Sequence, residues 1–496
     1  MKKSASWIVL GLIVILFLAL RLPQIWRDEF PFVFDFGRDL IWVRNMVELK
    51  RPTLIGPWGS LAGVYFGPLW YYLLTIPYII FSGDPRGPVY LTLTANLAVL
   101  VLGWLWLKKS VSWRMGLIFA FLVAVSPHNI NLSTFAFHAN ILPLTQLLFI
   151  YGLYRQDVRG LYLAALMTSL NFHFEPATGI FTTLTLVLFT LLRLKQLSLK
   201  SLLITAIIFA LPFLPNVVFD LRHDFLQTRA VVAYFQGQNR SLEGVLPYPE
   251  RIFERLRKFT ELFSASVLPN LPILVTGIIL VIILITLRKA RLFSVLLFSL
   301  VIPLLGFMFL FPPELKGWYL YGFSINYFIL TSLLLRKFPV LILLPVVLLA
   351  VRFTTLATFT SAATIKNQKA ALDVVYTESR GQPFKFYVYT PPIYDYQYQY
   401  LTWWYGRKTY GYLPSEYSYL PGETSYHPQK DKFTQPTKPV TGTDPVKVFL
   451  LIEPEATTDR LTGWLGHFAA LPLISEQTLP GDITLQTRQS KIDVAE

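Results

Sequence analysis

Long apolar runs separated by short charged segments fill the chain from its N-terminus to about residue 355. A helix needs about 20 apolar residues to cross the hydrocarbon core of a bilayer, and shorter runs suffice where protein shields them. On this basis the pattern predicts about eleven membrane-spanning helices. The predicted spans are 7–20, 89–107, 115–127, 141–154, 161–172, 177–192, 202–215, 271–287, 292–311, 319–335 and 340–351.

Basic residues set the orientation of these spans. Lys2 and Lys3 precede the first span, and the basic clusters of the later loops, such as Lys108-Lys109, all fall on the same side. Because Lys and Arg are retained on the cytoplasmic side, the N-terminus is predicted to be inside and the C-terminal segment outside. No small-residue cleavage site follows the first span, which we therefore interpret as a retained anchor.

One apolar segment, residues 66–81, breaks this regularity. If it crossed the membrane, every later loop would be inverted and Lys108-Lys109 would lie outside. We therefore predict an interfacial or re-entrant helix in the first outward loop, where aromatic rings favour the headgroup level. An even-numbered topology is the competing interpretation.

Composition agrees with a polytopic protein of the cytoplasmic membrane. The 496 residues are 54% hydrophobic, 16% aromatic and 15% charged, and the mean hydropathy is +0.49. The net charge of +15 resides largely in short basic loops, which favours membrane topology and anionic headgroups over nucleic-acid binding. The absence of cysteine excludes disulfides, thiolate catalysis and cysteine-based metal sites.

The composition changes beyond about residue 355. A helix is predicted at 367–378, strands at 384–389 and 446–452, and a second helix at 458–468. Alternating helix and strand signals indicate a small extracytoplasmic α/β or α+β domain, 356–496, after a membrane domain, 1–355. The tyrosine-rich stretch 394–412 suits either a glycan acceptor or packing against the membrane domain.

Polar residues gather in the predicted outward loops, which suggests a cavity opening outward because such groups are costly beside membrane helices. The candidates are Asp28, Glu29, Asp35, Arg38 and Asp39 in the first loop, His138 and Asn140 in the second, His173 and Glu175 in the third, Arg222 and His223 in the fourth, and Lys316 in the fifth. Each also has a structural interpretation. Asp28-Glu29 could be a solvated loop, and Asp35, Arg38 and Asp39 could be a salt-bridged helix start. His173 and Glu175 could satisfy each other or backbone groups, and two ligands are too few to indicate a metal.

The first outward loop resembles that of the GT-C glycosyltransferases, especially family 39 protein mannosyltransferases and lipid A aminoarabinose transferases. Asp35 stands where that family has its catalytic Asp, and Gly67-Pro68-Leu69-Trp70-Tyr71-Tyr72 is similar to its juxtamembrane motif. Ser126-Pro127, followed by residues 131–140, resembles the second outward loop. The resemblance covers residues 1–335 and implies an all-α polytopic GT-C-like domain that uses a polyprenyl-phosphate sugar donor.

This chain departs from the family in two ways. The family usually has an Asp-Glu pair, whereas Phe36 follows Asp35, and the second loop lacks an acid. His138 or Asn140 would take the place of that acid, which argues against a bound divalent metal. A divalent metal stays possible, but no cofactor is required by this interpretation.

The resemblance and the residues together predict a reaction. A carboxylate would deprotonate or orient an acceptor hydroxyl, and cations would stabilise the departing phosphate. Asp35 is the predicted base, with Asp39 or Glu175 as alternatives. Arg222 and His223, with Arg229 or Lys316, are predicted phosphate ligands, and the other substrate-binding candidates are Arg38, His138, Asn140, His173 and Glu175. The acceptor would be a lipid, glycan or protein hydroxyl on the outer face. A transporter or lipid-linked-glycan flippase is the main alternative, and a non-catalytic scaffold is a third.

Overall fold

The computed structural model describes residues 3–59, 61–238, 245–268, 271–287, 291–343, 346–347, 361–423, 426–438, 446–455 and 459–490. The chain divides into two compact units. The first comprises Met1–Leu22, Thr53–Leu73 and Val89–Leu356, and the second comprises Pro23–Pro52, Leu74–Pro88 and Ala357–Glu496. The second unit thus includes residues 23–52 and 74–88, and the predicted domains, 1–355 and 356–496, stay a prediction. Each unit is described by itself below.

The first unit is helical. Its α-helices are Lys3–Ala19, Leu69–Ile80, Arg86–Ser110, Trp113–Val125, Pro127–Ser133, Leu142–Arg155, Val158–Phe174, Pro176–Leu191, Leu199–Ala210, Leu214–Arg222, Leu226–Phe235, Tyr248–Val267, Ile273–Leu287, Arg291–Phe309 and Ser324–Lys337. Helix Leu69–Ile80 ends in the second unit, and helix Arg86–Ser110 begins there. Short 3₁₀ helices lie at His138–Ile141, Leu194–Gln196, Leu211–Phe213, Gly317–Phe323 and Pro339–Ile342.

Several of these helices can cross a membrane, as expected for a multi-pass protein. Within the described residues, 5 helices are long and apolar enough, or up to 6 if the bent pair Trp113–Val125 and Pro127–Ser133 is one span. Three further apolar helices, Leu69–Ile80, Pro176–Leu191 and Ile273–Leu287, are shorter. The fold-class prediction is confirmed, whereas the count of about eleven spans stays a prediction. The last predicted span, 340–351, lies partly outside the described residues.

A buried arginine ties the first helix to the bent pair. Arg21 is fully buried and donates from Nε to Ser133 Oγ at 2.6 Å. Its Nη1 donates to the carbonyl oxygens of Phe17 at 2.9 Å and Ala124 at 2.8 Å. These bonds use backbone carbonyls near the 67° bend between the two helices, where helix-terminal oxygens would otherwise lack partners.

Within the described residues, the second unit is built on a five-stranded sheet of β1 (Phe384–Tyr389), β2 (Glu416–Ser418), β3 (Lys447–Ile452), β4 (Leu473–Leu479) and β5 (Ile483–Gln489). The strands lie in the order β2-β1-β3-β5-β4. β1 pairs in parallel with β2 and β3, and β5 pairs antiparallel with β3 and β4. The predicted α/β or α+β character is therefore confirmed, including strands β1 and β3.

Helices complete this unit. They are Leu22–Trp26, Phe34–Glu48, Ile365–Ser379, Tyr396–Leu401, Arg407–Tyr410 and Asp459–Gly466, with a π-helical turn at Thr402–Gly406 and a 3₁₀ turn at Lys430–Phe433. Two backbone hydrogen bonds join the predicted first outward loop to residues 363–366. Phe32 N donates to Ala363 O at 2.8 Å, and Lys366 N donates to Asp28 O at 3.0 Å. Helix Phe34–Glu48 packs on helix Tyr396–Leu401 at Gly37, where a Cβ would lie 2.4 Å from Gln397 Cα.

Candidate active site

Arg38 joins the two predicted catalytic carboxylates in the second unit. Its Nη1 lies 2.7 Å from Asp35 Oδ1. Its Nε and Nη2 donate to Asp39 Oδ1 at 2.9 and 2.8 Å. Asp35 begins helix Phe34–Glu48, so Arg38 reaches it from one turn further along the same face. The sequence therefore brings these three side chains together by helical spacing alone.

The carboxylates of Asp35 and Asp39 differ in solvent exposure. The Asp39 side chain is only 2% exposed and accepts two bonds from the buried Arg38. Asp35 keeps 40% of its side chain exposed. Because a general base must reach the proton that it removes, Asp35 is the better placed of the two, and Asp39 serves to hold Arg38.

The adjacent acids of the first loop, Asp28 and Glu29, both form ion pairs within the second unit. Asp28 lies 2.8 Å from Arg86 Nε and 2.9 Å from Lys369 Nζ, one through each carboxylate oxygen. Glu29 lies 3.3 Å from Lys366 Nζ. Asp28 thus connects three segments of the second unit. These contacts favour a structural role for Asp28-Glu29 over a catalytic one.

His173, in the first unit, braces the juxtamembrane motif. Its Nδ1 accepts from the backbone N–H of Leu69 at 3.3 Å, and its Nε2 donates to the Pro212 carbonyl at 3.0 Å. A Cβ on Gly67 would lie 2.0 Å from His173 Nδ1, so only glycine fits there. With both ring nitrogens bonded to backbone, His173 acts as a brace in this structure and leaves no nitrogen for a substrate.

The second and third predicted loops meet at the ends of two helices. His138 is buried, and its Nδ1–H donates to the Phe174 carbonyl. Glu175 follows at the N-cap of helix Pro176–Leu191, where its Oε1 accepts from Ala177 N at 3.4 Å. Asn140 is also buried and donates from Nδ2 to the Phe135 carbonyl at 2.7 Å. The bond from His138 to the Phe174 carbonyl thus joins the second predicted loop to the third.

Glu175 has an unusual environment among these residues. It is buried, and no hydrogen-bond partner for its Oε2 is found among the residues that the structure describes. Burial raises the pKa of Glu175 from 4.5 to about 8, and the N–H of Ala177 offsets this shift only in part. The side chain therefore carries a proton near neutral pH and can donate a hydrogen bond.

Of the predicted phosphate ligands, Arg222 and His223 are exposed at the end of helix Leu214–Arg222. His223 stacks on Phe219, with ring centroids 4.0 Å apart, and its Nδ1 bonds the Phe219 carbonyl at 2.8 Å. Neither is joined to His138 or to Glu175 by a described hydrogen bond. Arg222 and His223 thus stay predictions from sequence.

Lys316 lies in a basic cluster that sequence reasoning identified only in part. Lys316 pairs with Glu314, and its hydrogen bond lowers the pKa of Glu314, an effect to which Lys258 and Arg255 add. Arg255 is fully buried and donates from Nη2 to the carbonyls of Phe311 and Pro313. The sequence signal for Arg255 was its position in the charged amphipathic helix Tyr248–Val267, on the same helical face as Arg251.

No metal site is indicated by the described part of the chain, where no three His, Asp or Glu side chains group together. Asp35 and Asp39 would supply carboxylate oxygens, but Arg38 lies between them, and its charge opposes a cation there. The expectation that no cofactor is required stays a prediction.

Comparison with solved structures identifies the fold. ArnT from Cupriavidus metallidurans matches over 98% of both chains, with a TM-score of 0.57 for the form bound to undecaprenyl phosphate and 0.58 for the apo state. The chain has the GT-C fold. Sequence identity is only 10% and 11%, so this likeness concerns the GT-C fold and not the activity.

A second solved structure matches more loosely. The oligosaccharyltransferase of Archaeoglobus fulgidus in its apo form has a TM-score of 0.41 and 16% identity over 68% of this chain and 51% of its own. No protein-family model matches the chain, and no curated protein is significantly similar to it in sequence. The match to ArnT confirms, at the level of the fold, the resemblance stated from the first-loop residues.

Proposed function

We propose that this protein transfers a sugar from a polyprenyl-phosphate donor to an acceptor hydroxyl on the outer face of the cytoplasmic membrane. The observation that carries the proposal is Asp35, an exposed carboxylate fixed by a buried arginine in a chain with the GT-C fold. Undecaprenyl phosphate bound to the similarly folded ArnT supports a polyprenyl-phosphate carrier. The sugar class and the acceptor are left open by this proposal.

The chemistry begins at Asp35. Its carboxylate takes the proton of the acceptor hydroxyl while the hydroxyl oxygen attacks the anomeric carbon of the donor. The bond between that carbon and the phosphate oxygen breaks, and polyprenyl phosphate leaves with the electron pair. Arg38 holds Asp35 through one oxygen at 2.7 Å and orients the carboxylate before the reaction.

Cationic side chains would stabilise the negative charge of the leaving phosphate. Lys316, which is paired with Glu314, is one candidate ligand. Arg222 and His223 remain further candidates, since both are exposed. Glu175, protonated by burial, would donate a hydrogen bond to a substrate oxygen instead of acting as a base.

The test uses purified full-length protein and a lipid extract from native membranes. Mass spectrometry should show a polyprenyl-phosphate sugar disappearing and the bare polyprenyl phosphate appearing. A heat-inactivated sample is the control for spontaneous hydrolysis. If the protein instead moves the lipid-linked sugar across a vesicle membrane without any change in its mass, the flippase alternative replaces the transferase proposal.

A further inference from the structure

An apolar patch is exposed on the second unit at the end of helix Leu69–Ile80. Ile76, Ile79 and Ile80 share one face of this helix by their spacing and are 57%, 60% and 68% exposed. Phe81, the next residue, is also exposed. We call these four residues the apolar patch. Contiguous exposed apolar side chains mark an interaction surface, and none of the four takes part in the Asp35 centre.

The patch lies against the start of a candidate membrane span. Helix Arg86–Ser110 is long and apolar enough to cross a membrane, and it begins in the second unit. A Cβ at Gly87, in its first turn, would lie 3.0 Å from the Pro77 carbonyl oxygen and 3.1 Å from the Phe81 ring. The end of helix Leu69–Ile80 therefore packs directly on the first turn of this span.

A second candidate span ends beside the first. Segment Ala5–Trp26 is also long and apolar enough to cross a membrane, and its last residues belong to the second unit. Asp28, two residues beyond this segment, lies 2.8 Å from Arg86 Nε, so an ion pair joins the ends of the two spans. Trp26 is exposed, as is common for tryptophan at the membrane–water interface. Because spans end where the hydrocarbon core ends, the apolar patch lies at this interface.

Two cations stand beside the patch, on the segment that follows the π-helical turn of the second unit. Trp404 Nε1 donates to the carbonyl of Ser82, one residue beyond the patch, at 3.0 Å. Lys408 Nζ lies 5.2 Å from the centre of the Trp404 ring. Both Lys408 and its neighbour Arg407 are exposed. Trp404 thus fixes a cationic pair next to the apolar patch.

The charges around the patch favour an anionic partner. Each nearby carboxylate is already bound by a cation, an N–H or a hydroxyl of the second unit, and these acids are Asp28, Glu29, Glu48, Asp84 and Asp373. The exposed or half-buried cations are more numerous, and they are Arg27, Lys50, Arg51, Arg86, Lys366, Lys369, Arg407 and Lys408. Positive charge therefore exceeds negative charge there, and basic side chains beside an apolar surface attract anionic headgroups.

We infer that the apolar patch, with Arg407 and Lys408, docks on a membrane surface that contains anionic phospholipid. The apolar side chains enter the boundary of the acyl chains, and the two cations bind headgroup phosphates. This docking does not require the transferase reaction, so the two proposals can fail independently.

The test exploits the absence of cysteine from the chain. Ile80→Cys carries a bimane fluorophore, and the whole chain is placed in nanodiscs of phosphatidylglycerol and phosphatidylcholine, one of which is brominated on its acyl chains. Bromine quenches the fluorophore only at close range, so the label reports which lipid surrounds the patch. Phosphatidylglycerol should be enriched there at least about fivefold over the bulk lipid, the factor expected for one cation at an anionic surface.

Charge-reversal variants test the role of the two cations. Arg407→Glu combined with Lys408→Glu should abolish the enrichment, while continued quenching by brominated phosphatidylcholine shows that the variant is folded and inserted. The milder pair, Arg407→Gln with Lys408→Gln, should lose most of the enrichment. Arg380→Glu is the matched control, since Arg380 is an exposed cation of the same unit at the C-terminal end of helix Ile365–Ser379 and should not affect the patch.

Three results would overturn the inference. They are a label that neither brominated lipid quenches, equal quenching by the two lipids, and an enrichment that survives both charge substitutions. A label shielded from both lipids in a dimeric protein would assign the patch to a second copy of the chain instead.

Discussion

Gly37 rests directly on the backbone of Gln397, because a Cβ at Gly37 would lie 2.4 Å from both Cα and N of Gln397. Backbone atoms within a helix cannot move aside, whereas the end of a flexible side chain can. The helix that carries Asp35 is thus positioned by a close approach that only glycine permits.

Gly37→Ala should therefore destabilise the protein by about 1–3 kcal/mol, through overpacking at a contact with no room to relax. Chemical unfolding followed by tyrosine and tryptophan fluorescence measures the change. Gly463→Ala is the matched control, since Gly463 is helical and a Cβ there meets nothing within 4 Å. Equal stability of both variants would contradict the packing described for Gly37.

Arg38→Met should destabilise the protein far more than Asp35→Asn. The first substitution leaves Asp39 buried without its positive partner, which costs about 3–5 kcal/mol for a buried ion pair. The second removes a pair whose carboxylate is 40% exposed, worth less than about 1 kcal/mol. Parallel denaturation curves of the two variants test this order, and the reverse order would show that Asp39 is not held as described.

Glu175 should make stability depend on pH. Because its pKa is raised by burial from 4.5 to about 8, the folded protein binds a proton that the unfolded chain releases between these values. Stability should therefore fall as pH rises from about 4.5 to about 8. Glu175→Gln, which cannot ionise, should flatten this part of the curve of melting temperature against pH. An unchanged curve would mean that Glu175 is ionised in the folded protein.

Much of the architecture follows from the sequence. Apolar alternation predicted β1 at 384–389 and β3 at 446–452, close to the observed Phe384–Tyr389 and Lys447–Ile452. Strand β4 was missed because Leu473–Leu479 is largely exposed at the edge of the sheet and carries no burial pattern. Strand β2 has only three residues, too few for a periodicity to appear.

The site was predictable where spacing decides it. Asp35, Arg38 and Asp39 meet because they share one helical face. The roles of Asp28 and His173 could not be derived in this way. Asp28 is paired with Lys369, which is 341 positions away, and His173 receives the N–H of Leu69, which is 104 positions away. Such long-range contacts depend on the tertiary fold, and no local pattern contains them.

The most direct test of Asp35 as the base compares turnover by wild type, Asp35→Asn and Glu29→Gln. Each purified protein receives the same native lipid extract, and mass spectrometry follows the ratio of polyprenyl-phosphate sugar to bare polyprenyl phosphate. Loss of a general base should slow consumption by about 10²–10⁴-fold in Asp35→Asn. Glu29 lies in the same predicted loop as Asp35 and is paired with Lys366. Glu29→Gln should therefore turn over at nearly the wild-type rate. Wild-type turnover by Asp35→Asn would contradict the account.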